Sequence, residues 1–385
     1  MHRRTLLQLF AGVAVAGVRV GAQPRGPRVV IAGAGIVGAQ VAYHLAKRGA
    51  MVVVVERGNP GSGATSKSFA WINATFSKRP RAYYELNRLG MLGWRHVDRE
   101  LDLPVRWGGS VEWYLGANEA EGLRESVRSH QAWGYPVSTI DLARLKALEP
   151  QVAFGPVAGA SYSEDEGHVD PVGATELLLR RAQSFGAVLQ TRTTITGLDT
   201  QGGQVRAVRT TGGDLPADVL VIACGTDTAR VAAMADIRVP LKDSPGVLVH
   251  TTPQPALLNR VVLAPGAHMK QKPDGRIVTG VGFGGTPTTD SSREAGERFL
   301  RSDAAAVVPA LRDAALHTVT LGWRPLPEDE YPIVGFAPNR RDVYITVMHS
   351  GVTLSPFVGR AASIEILDGV DVEPLAPFRL SRFSN

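Results

Sequence analysis

One short stretch limits the fold more than any other. Arg28-Val29-Val30-Ile31-Ala32 is a β-branched apolar run of the kind that fills a buried parallel strand. It leads without a break into Gly33-Ala34-Gly35-Ile36-Val37-Gly38, which matches G-x-G-x-x-G. Val41, Ala42, Leu45 and Ala46 then follow at helical spacing, and Gly49 stops that helix. Met51-Val52-Val53-Val54-Val55 is a second buried strand that ends at Glu56. Strand, glycine turn, helix, strand and terminal acid in this order predict a doubly wound α/β fold with a dinucleotide seated on the first helix. Gly33 permits the tight turn, Gly35 lets a diphosphate reach the backbone, and Gly38 lets helix and strand pack closely. The amides of the helix start, around Ile36 and Val37, carry the anion.

Glu56 falls 18 residues after Gly38, where a carboxylate accepts hydrogen bonds from adenosine ribose hydroxyls. An acid there argues against a 2′-phosphate and leaves NAD or FAD. The residues after it, Arg57-Gly58-Asn59-Pro60-Gly61-Ser62-Gly63-Ala64-Thr65-Ser66, are small or hydroxylated. They suit a long cofactor passing close to the backbone, or else a plain surface loop.

Composition excludes several classes. With 385 residues, 44% apolar and 20% charged, the chain has material for a large core in two or three domains. One cysteine rules out an internal disulfide, a cysteine zinc site and a CxxC pair. Cys224 itself reads as a small core residue. Glycine, 42 of 385 residues, exceeds average usage and signals many close backbone approaches. The net charge of +6 draws half its excess from Arg3, Arg4 and Arg19, with no acid in residues 1–22. Elsewhere the densest basic run is Lys78-Arg79-Pro80-Arg81, so nucleic acid is not indicated.

Met1 to Gln8 is a charged start, Leu9 to Val18 is moderately apolar, and Val20-Gly21-Ala22 is a small-residue end. This is the layout of a secretory signal, too short to span a membrane, and its paired arginines resemble a twin-arginine signal. It predicts an exported protein, periplasmic or extracellular. Read instead as an unused extension, the same residues leave the protein in the cytoplasm.

Further along, a helix is predicted from Pro171 to Phe185, and strands over Val188–Thr193, Val205–Thr210 and Val219–Ala223, the last turning at Gly225. The strands Gly246–Thr251, Val261–Ala264, His268–Lys272 and Arg276–Gly282 read as a meander with turns such as Pro273-Asp274-Gly275. Near the end come Arg324-Pro325, Asp329, Pro332 and Gly335, the strand Val343–Val347, then His349-Ser350-Gly351-Val352-Thr353-Leu354-Ser355-Pro356 and a closing helix from about Phe357 to Leu367.

Five of these marks in order resemble the D-amino acid oxidase superfamily, glycine oxidase and monomeric sarcosine oxidase included. They are the fingerprint with Glu56, the Gly61–Ser66 loop, the Asp218–Gly225 strand-turn, the Arg324–Gly335 segment and the His349–Pro356 segment. The correspondence covers nearly all of residues 28–370. It implies FAD as cofactor, in an extended pose. It also implies a Rossmann-like FAD domain, about 28–85, 155–240 and 318–385, interleaved with an α+β substrate domain on an antiparallel sheet, about 86–154 and 241–317.

The resemblance further implies that the protein is an enzyme whose flavin takes a hydride from the carbon beside an amine, giving an imine, with O₂ or a quinone reoxidising the flavin. A 2-hydroxy-acid dehydrogenase of the same fold, and a flavin-binding partner protein without turnover, stand as alternatives. Arg324 occupies the place of the family's carboxylate-binding arginine, or else forms a salt bridge to Glu328, Asp329 or another acid. His349 replaces a second arginine of glycine oxidase. Ser350, Gly351, Val352 and Thr353 are expected beside the flavin ring, Thr353 standing where monomeric sarcosine oxidase has a lysine. Gly225 and Gly335 are expected at the cofactor. Trp71 and Asn73 approach the ring or fill core. His268, Lys270 and Lys272 alternate on one strand and so share a face, which lines the pocket or meets solvent. No cysteine lies near the chain's end to link a flavin covalently.

Overall fold

The structure is a computed structural model that describes residues 26–76, 79–282 and 284–383. The predicted leader, residues 1–22, lies outside the described residues. Arg28–Ala32 sits inside a six-stranded sheet, between Val219–Ile222 and Met51–Val55. Val188–Gln190 forms one edge. Val343–Val347 and Ile333–Phe336 extend the other side, and only the last of these runs antiparallel. Both faces are covered, which explains why residues 29–32, Met51–Val55 and Val219–Ile222 are apolar at every position rather than at every second one. Val29, Ile31, Val52 and Val54 pack toward the helices Ile36–Lys47, Pro171–Ser184 and Gly351–Asp368. Val30, Ala32 and Val55 pack the other way, with Val205 and Val208 of the antiparallel three-stranded sheet Ile195–Gln201, Gln204–Thr210 and Gly213–Pro216.

A second sheet of eight strands has one face over its own core, around Val111, Trp113 and Met269. Its other face meets Phe69 and Trp71 through Leu248, Leu263 and Val278. The four strands expected as a meander are Pro245–Thr251, Val261–Ala264, Ala267–Gln271 and Ile277–Gly280, and their order differs from that of a meander. The last three run as one, but Pro245–Thr251 pairs beside the fourth, Ile277–Gly280. Val261–Ala264 pairs in parallel with Ser110–Tyr114 instead. Pairing is decided by the whole sheet, which local turn signals do not reveal.

Two domain boundaries also shift. Gly159–Ser163 and Leu316–Trp323 belong to the eight-stranded sheet, pairing with Ser110–Tyr114 and Pro245–Thr251 respectively. Lys272 lies past the end of Ala267–Gln271, in the turn closed by its amide on the Arg276 carbonyl at 2.8 Å, so it does not share the strand face of His268 and Lys270. Val188–Gln190 stops short of Thr193 because Arg192 adopts a left-handed backbone, φ 53°.

The closing helix begins at Gly351, six residues before the expected Phe357, and contains Pro356. A proline inside a helix leaves the carbonyl four residues back without its donor. Here that carbonyl, Val352, accepts from the Trp94 indole at 2.7 Å and the Ser355 hydroxyl at 3.1 Å. Trp94 comes from the helix Arg81–Leu101, which crosses at Gly90 and Gly93. A Cβ on Gly90 would lie 2.3 Å from the Thr353 carbonyl oxygen, so only glycine lets the two helices approach.

Candidate functional site

The first strand ends in a turn at Gly33, φ 100°, whose amide donates to the Val55 carbonyl at 2.8 Å. A Cβ at Gly33 would stand 2.5 Å from the Ala223 carbonyl oxygen, and one at Gly38 only 2.1 Å from that of Gly33. Backbone there admits no side chain. Glu56 ties the turn to the next loop: one carboxylate oxygen accepts from the Ala34 amide at 2.9 Å, the other from Gly58 at 2.8 Å. The Gly61–Ser66 loop folds back over the helix start. Gly61 donates to the Ala34 carbonyl at 2.9 Å, and Thr65 Oγ1 accepts from the Ile36 amide at 3.1 Å.

Most of these residues line a cleft of about 330 Å³ that runs from Glu56 and Arg57, past Gly35 and Gly61, to Met348 and Gly351. Two helices begin in it, Ile36–Lys47 and Gly351–Asp368, whose first-turn amides have no acceptor within their helices. The two starts adjoin: a Cβ on Gly351 would lie 3.4 Å from Val37 Cγ2. An acid at one end, paired helix N-termini further along and side-chain-free backbone between them fit an extended dinucleotide bearing a diphosphate.

Gly33, Gly35, Ile36, Val37, Glu56 and Arg57 line this cleft, and so do Ala64, Thr65, Gly225, Gly351 and Val352. Arg57 is mostly exposed and pairs with Asp227 at 2.5 Å. Five expected cofactor residues do not line it: Ser350 and Thr353 line an adjoining cavity, and Gly38, Ser66 and Gly335 stand back. Gly38 packs helix on strand. Ser66 turns its hydroxyl to the Ser62 and Gly63 carbonyls, both at 3.1 Å. Gly335, φ 132°, leaves room for the Arg379 side chain, which a Cβ would meet at 2.1 Å. Cys224 lines the cleft rather than lying sealed in the core. Its thiol donates to the Ala32 carbonyl at 3.3 Å, and burial pushes its pKa up to about 12.

A second cavity, of about 100 Å³, adjoins the first, and Ala64, Lys67, Pro325, His349 and Val352 line both. It brings Arg324, His349, Ser350 and Thr353 together with Trp71 and Asn73. The half-buried Arg324 donates to the carbonyls of Pro245 at 2.9 Å and Ser244 at 3.4 Å. Its guanidinium lies over Gly284, where a Cβ would be 2.5 Å from Nη1. The acids beside it in sequence are engaged elsewhere: Glu328 with Arg238 at 3.8 Å, Asp329 with Arg382 at 2.7 Å, and Glu330 with Lys242 at 2.6 Å. Burial lowers the Arg324 pKa, yet a guanidinium stays charged at any working pH.

Behind the cavity wall lies a buried hub. The Glu166 carboxylate is fully buried and accepts from Ser110 Oγ at 2.6 Å, Thr75 Oγ1 at 2.7 Å, Trp71 Nε1 at 3.0 Å, Tyr135 OH at 3.1 Å and the Ala74 amide at 3.3 Å. It fixes the Trp71 ring that faces the cavity. Ser350 Oγ meets Tyr83 OH at 2.8 Å. Lys270 is also behind the wall, donating to the Val169 carbonyl at 3.1 Å, and His268 packs edge-on against Phe76 with ring centroids 6.1 Å apart. Lys272 pairs with Asp274 at 3.7 Å. Neither His268, Lys270 nor Lys272 lines either cavity.

Sequence reasoning missed Lys67, Phe69 and Trp323, all of which line the second cavity. Lys67 directly follows the small-residue loop and was legible there as a cation next to a cofactor passage. Among the described residues no cluster of three or more metal-ligating side chains occurs, and no helix is long and apolar enough to cross a membrane.

Comparison with known proteins agrees with this geometry. Residues 28–363 match the family model described as DAO, FAD dependent oxidoreductase. Glycine oxidase of Geobacillus kaustophilus (strain HTA426) is 29% identical over 368 residues, covering 92% of this chain and 96% of the relative. The crystal structure of glycine oxidase from Geobacillus kaustophilus has a TM-score of 0.82 at 27% identity, over 92% of this chain and 98% of that one. L-proline dehydrogenase from P. horikoshii shares the fold, with a TM-score of 0.85 at 24% identity over 94% and 98% of the two chains. A family match from the first strand into the last helix, on a cleft shaped for an extended dinucleotide, places this FAD-dependent enzyme in the DAO family of FAD-dependent oxidoreductases, among relatives that oxidise amino acids and amines.

Proposed function

We propose that this protein oxidises the C–N bond of a small amino acid or secondary amine to an imine. The observation that carries the reading is Arg324, a cation without an acidic partner among the described residues, set in a cavity that opens onto the dinucleotide cleft beside His349. The bound FAD supplies a two-electron acceptor for the hydride leaving the carbon next to the amine. Arg324 holds the substrate carboxylate in a charge-assisted fork, which fixes that carbon's position. The amine nitrogen contributes the electron pair that closes C=N and releases its proton to solvent, and water then hydrolyses the imine. No strong base is needed when the amine binds neutral. Phe69, Trp71 and Trp323 line the cavity with aromatic surface that keeps water from the reacting carbon.

Gly33, Gly35, Ile36, Val37 and Thr65 are assigned to the diphosphate, Glu56 to the adenosine ribose, and Ser350 to Thr353 to the ring. Thr353 enters this scheme as a support, because its hydroxyl already bridges Trp71 and Asn73. Reoxidation by O₂ or a quinone, and export through residues 1–22, belong to the same reading.

The test begins with the flavin spectrum of purified protein. Anaerobic bleaching is then followed with glycine, sarcosine, proline, both enantiomers of alanine, and 2-hydroxy acids. Bleaching by an amine supports the proposal; bleaching by 2-hydroxy acids alone refutes it.

A further inference from the structure

The cavity that holds Arg324 carries more positive charge than a single carboxylate balances. Its described lining contains no aspartate or glutamate, whereas Lys67 and Arg324 both belong to it. Neither has an acidic partner in ion-pair reach among the described residues, and the nearby acids Glu328, Asp329 and Glu330 are paired with Arg238, Arg382 and Lys242.

Lys67 is also placed by backbone. Its stem crosses Gly322, where an added Cβ would meet Lys67 Cβ at 2.7 Å and Cδ at 3.3 Å. Gly322, beneath that stem, and Arg324, the residue just past the end of Leu316–Trp323, both line the second cavity. The lysine stem, against Gly322, and the guanidinium, over Gly284, thus both reach this one cavity. Lys67 stands at the junction with the dinucleotide cleft, which it also lines.

Resting on the amine-oxidation reading above, we propose that the substrate is an amine carrying two carboxylates, an acidic amino acid or an iminodicarboxylate, with one carboxylate on Arg324 and the other on Lys67. In its reactive form, with a neutral amine, such a substrate carries two negative charges and balances the two cations. A monocarboxylate on the half-buried Arg324 leaves the exposed Lys67 without a charged contact, which the second carboxylate supplies. Phe69 and Trp71 cover the carbons between the two acids.

The FAD-loaded enzyme is titrated anaerobically with matched pairs that differ by one carboxylate, following flavin absorbance. The pairs are iminodiacetate against sarcosine, and D- and L-aspartate against D- and L-alanine. A dicarboxylate is expected to bleach the flavin at concentrations at least about tenfold below those of its partner, the return from one added charge-assisted contact. Lys67→Met is expected to collapse that ratio toward one, and Lys67→Arg to preserve it. Equal or better bleaching by the monocarboxylates overturns the proposal while leaving amine oxidation standing. A Lys67→Met enzyme that loses FAD and weakens both members of a pair alike also overturns it, because Lys67 then serves the cofactor. Bleaching by no amine at all removes the underlying reading and this one together.

Discussion

The hydroxyl of Thr353 donates to the carbonyl of Trp71 at 3.2 Å, and the same oxygen accepts from the Asn73 amide at 3.4 Å. One buried side chain thus joins the first turn of the last helix to the strand that walls the second cavity. Thr353→Val removes the group and leaves a buried carbonyl and amide without a partner, at a cost of about 1–3 kcal/mol. Urea unfolding of the FAD-loaded protein is expected to show this loss, and Thr353→Ser to recover most of it. Equal stability of the valine variant would mean that the bridge is energetically idle.

Arg324 is predicted to set substrate affinity rather than stability. Arg324→Ala should raise KM for the substrate about 10- to 100-fold, the worth of a charge-assisted fork. Arg324→Lys should recover only part of that, since an ammonium lacks the planar pair of donors. Steady-state kinetics on protein of matched flavin content is the check, and an unchanged KM in the alanine variant rules out the anchor.

Trp94 and Pro356 form a coupled pair. Pro356 withholds an amide from the Val352 carbonyl, and the Trp94 indole replaces it at 2.7 Å. Trp94→Phe should cost about 1–3 kcal/mol, because a buried acceptor loses its main donor. In a Pro356→Ala background the helix supplies its own amide, so the same change should cost clearly less. A double-mutant cycle on unfolding free energies measures the difference, and strict additivity would disprove the compensation.

Lys270 gives the protein a specific pH dependence. It is 2% exposed, and burial, helped by the Lys272 charge, lowers its pKa from 10.5 to about 7. The unfolded chain keeps that proton up to the ordinary value. Between about pH 7 and 10.5 the unfolded state therefore binds more protons, and this residue's contribution makes stability rise with pH. The slope is at most about 1.4 kcal/mol per pH unit. Below pH 7 both states are protonated and the contribution is constant. Stability measured at pH 7 and pH 9 should diverge between the parent and Lys270→Met, the variant showing the smaller rise. Parallel curves would show that Lys270 titrates normally.

The dinucleotide cleft was largely legible from residues 28–66. The parts from that stretch lie next to one another in the chain, and each one obeys a local rule: a β-branched buried strand, glycines where backbones touch, an acid at the second strand's end. The opposite wall, from residues 193–195, 223–231 and 346–352, is brought up by the fold. The structure seats the lining residues Gly33, Gly35, Glu56 and Thr65 from that stretch. Gly335 shows the limit of such reasoning. It was expected at the cofactor because it is a glycine in the right segment, yet its space is taken by Arg379, a residue 44 positions later.

The second cavity depended on tertiary structure. Its walls come from segments 64–73, 246, 284, 322–325 and 349–353, brought together by two sheets whose pairings no local pattern encodes. The return of Pro245–Thr251 to Ile277–Gly280, and the start of the last helix at Gly351 despite Pro356, both follow from long-range partners. So does the state of each charge. Lys67, Lys270 and Arg324 are alike as cations in the sequence. Packing buries Lys270 against the Val169 carbonyl, exposes Lys67 at a junction and lays Arg324 over Gly284. The glycine turn and acid of the cofactor cleft were thus written in contiguous sequence, because backbone sterics act between neighbours. Which cations face the second cavity was decided only by the fold, because desolvation and ion pairing depend on groups distant in the chain.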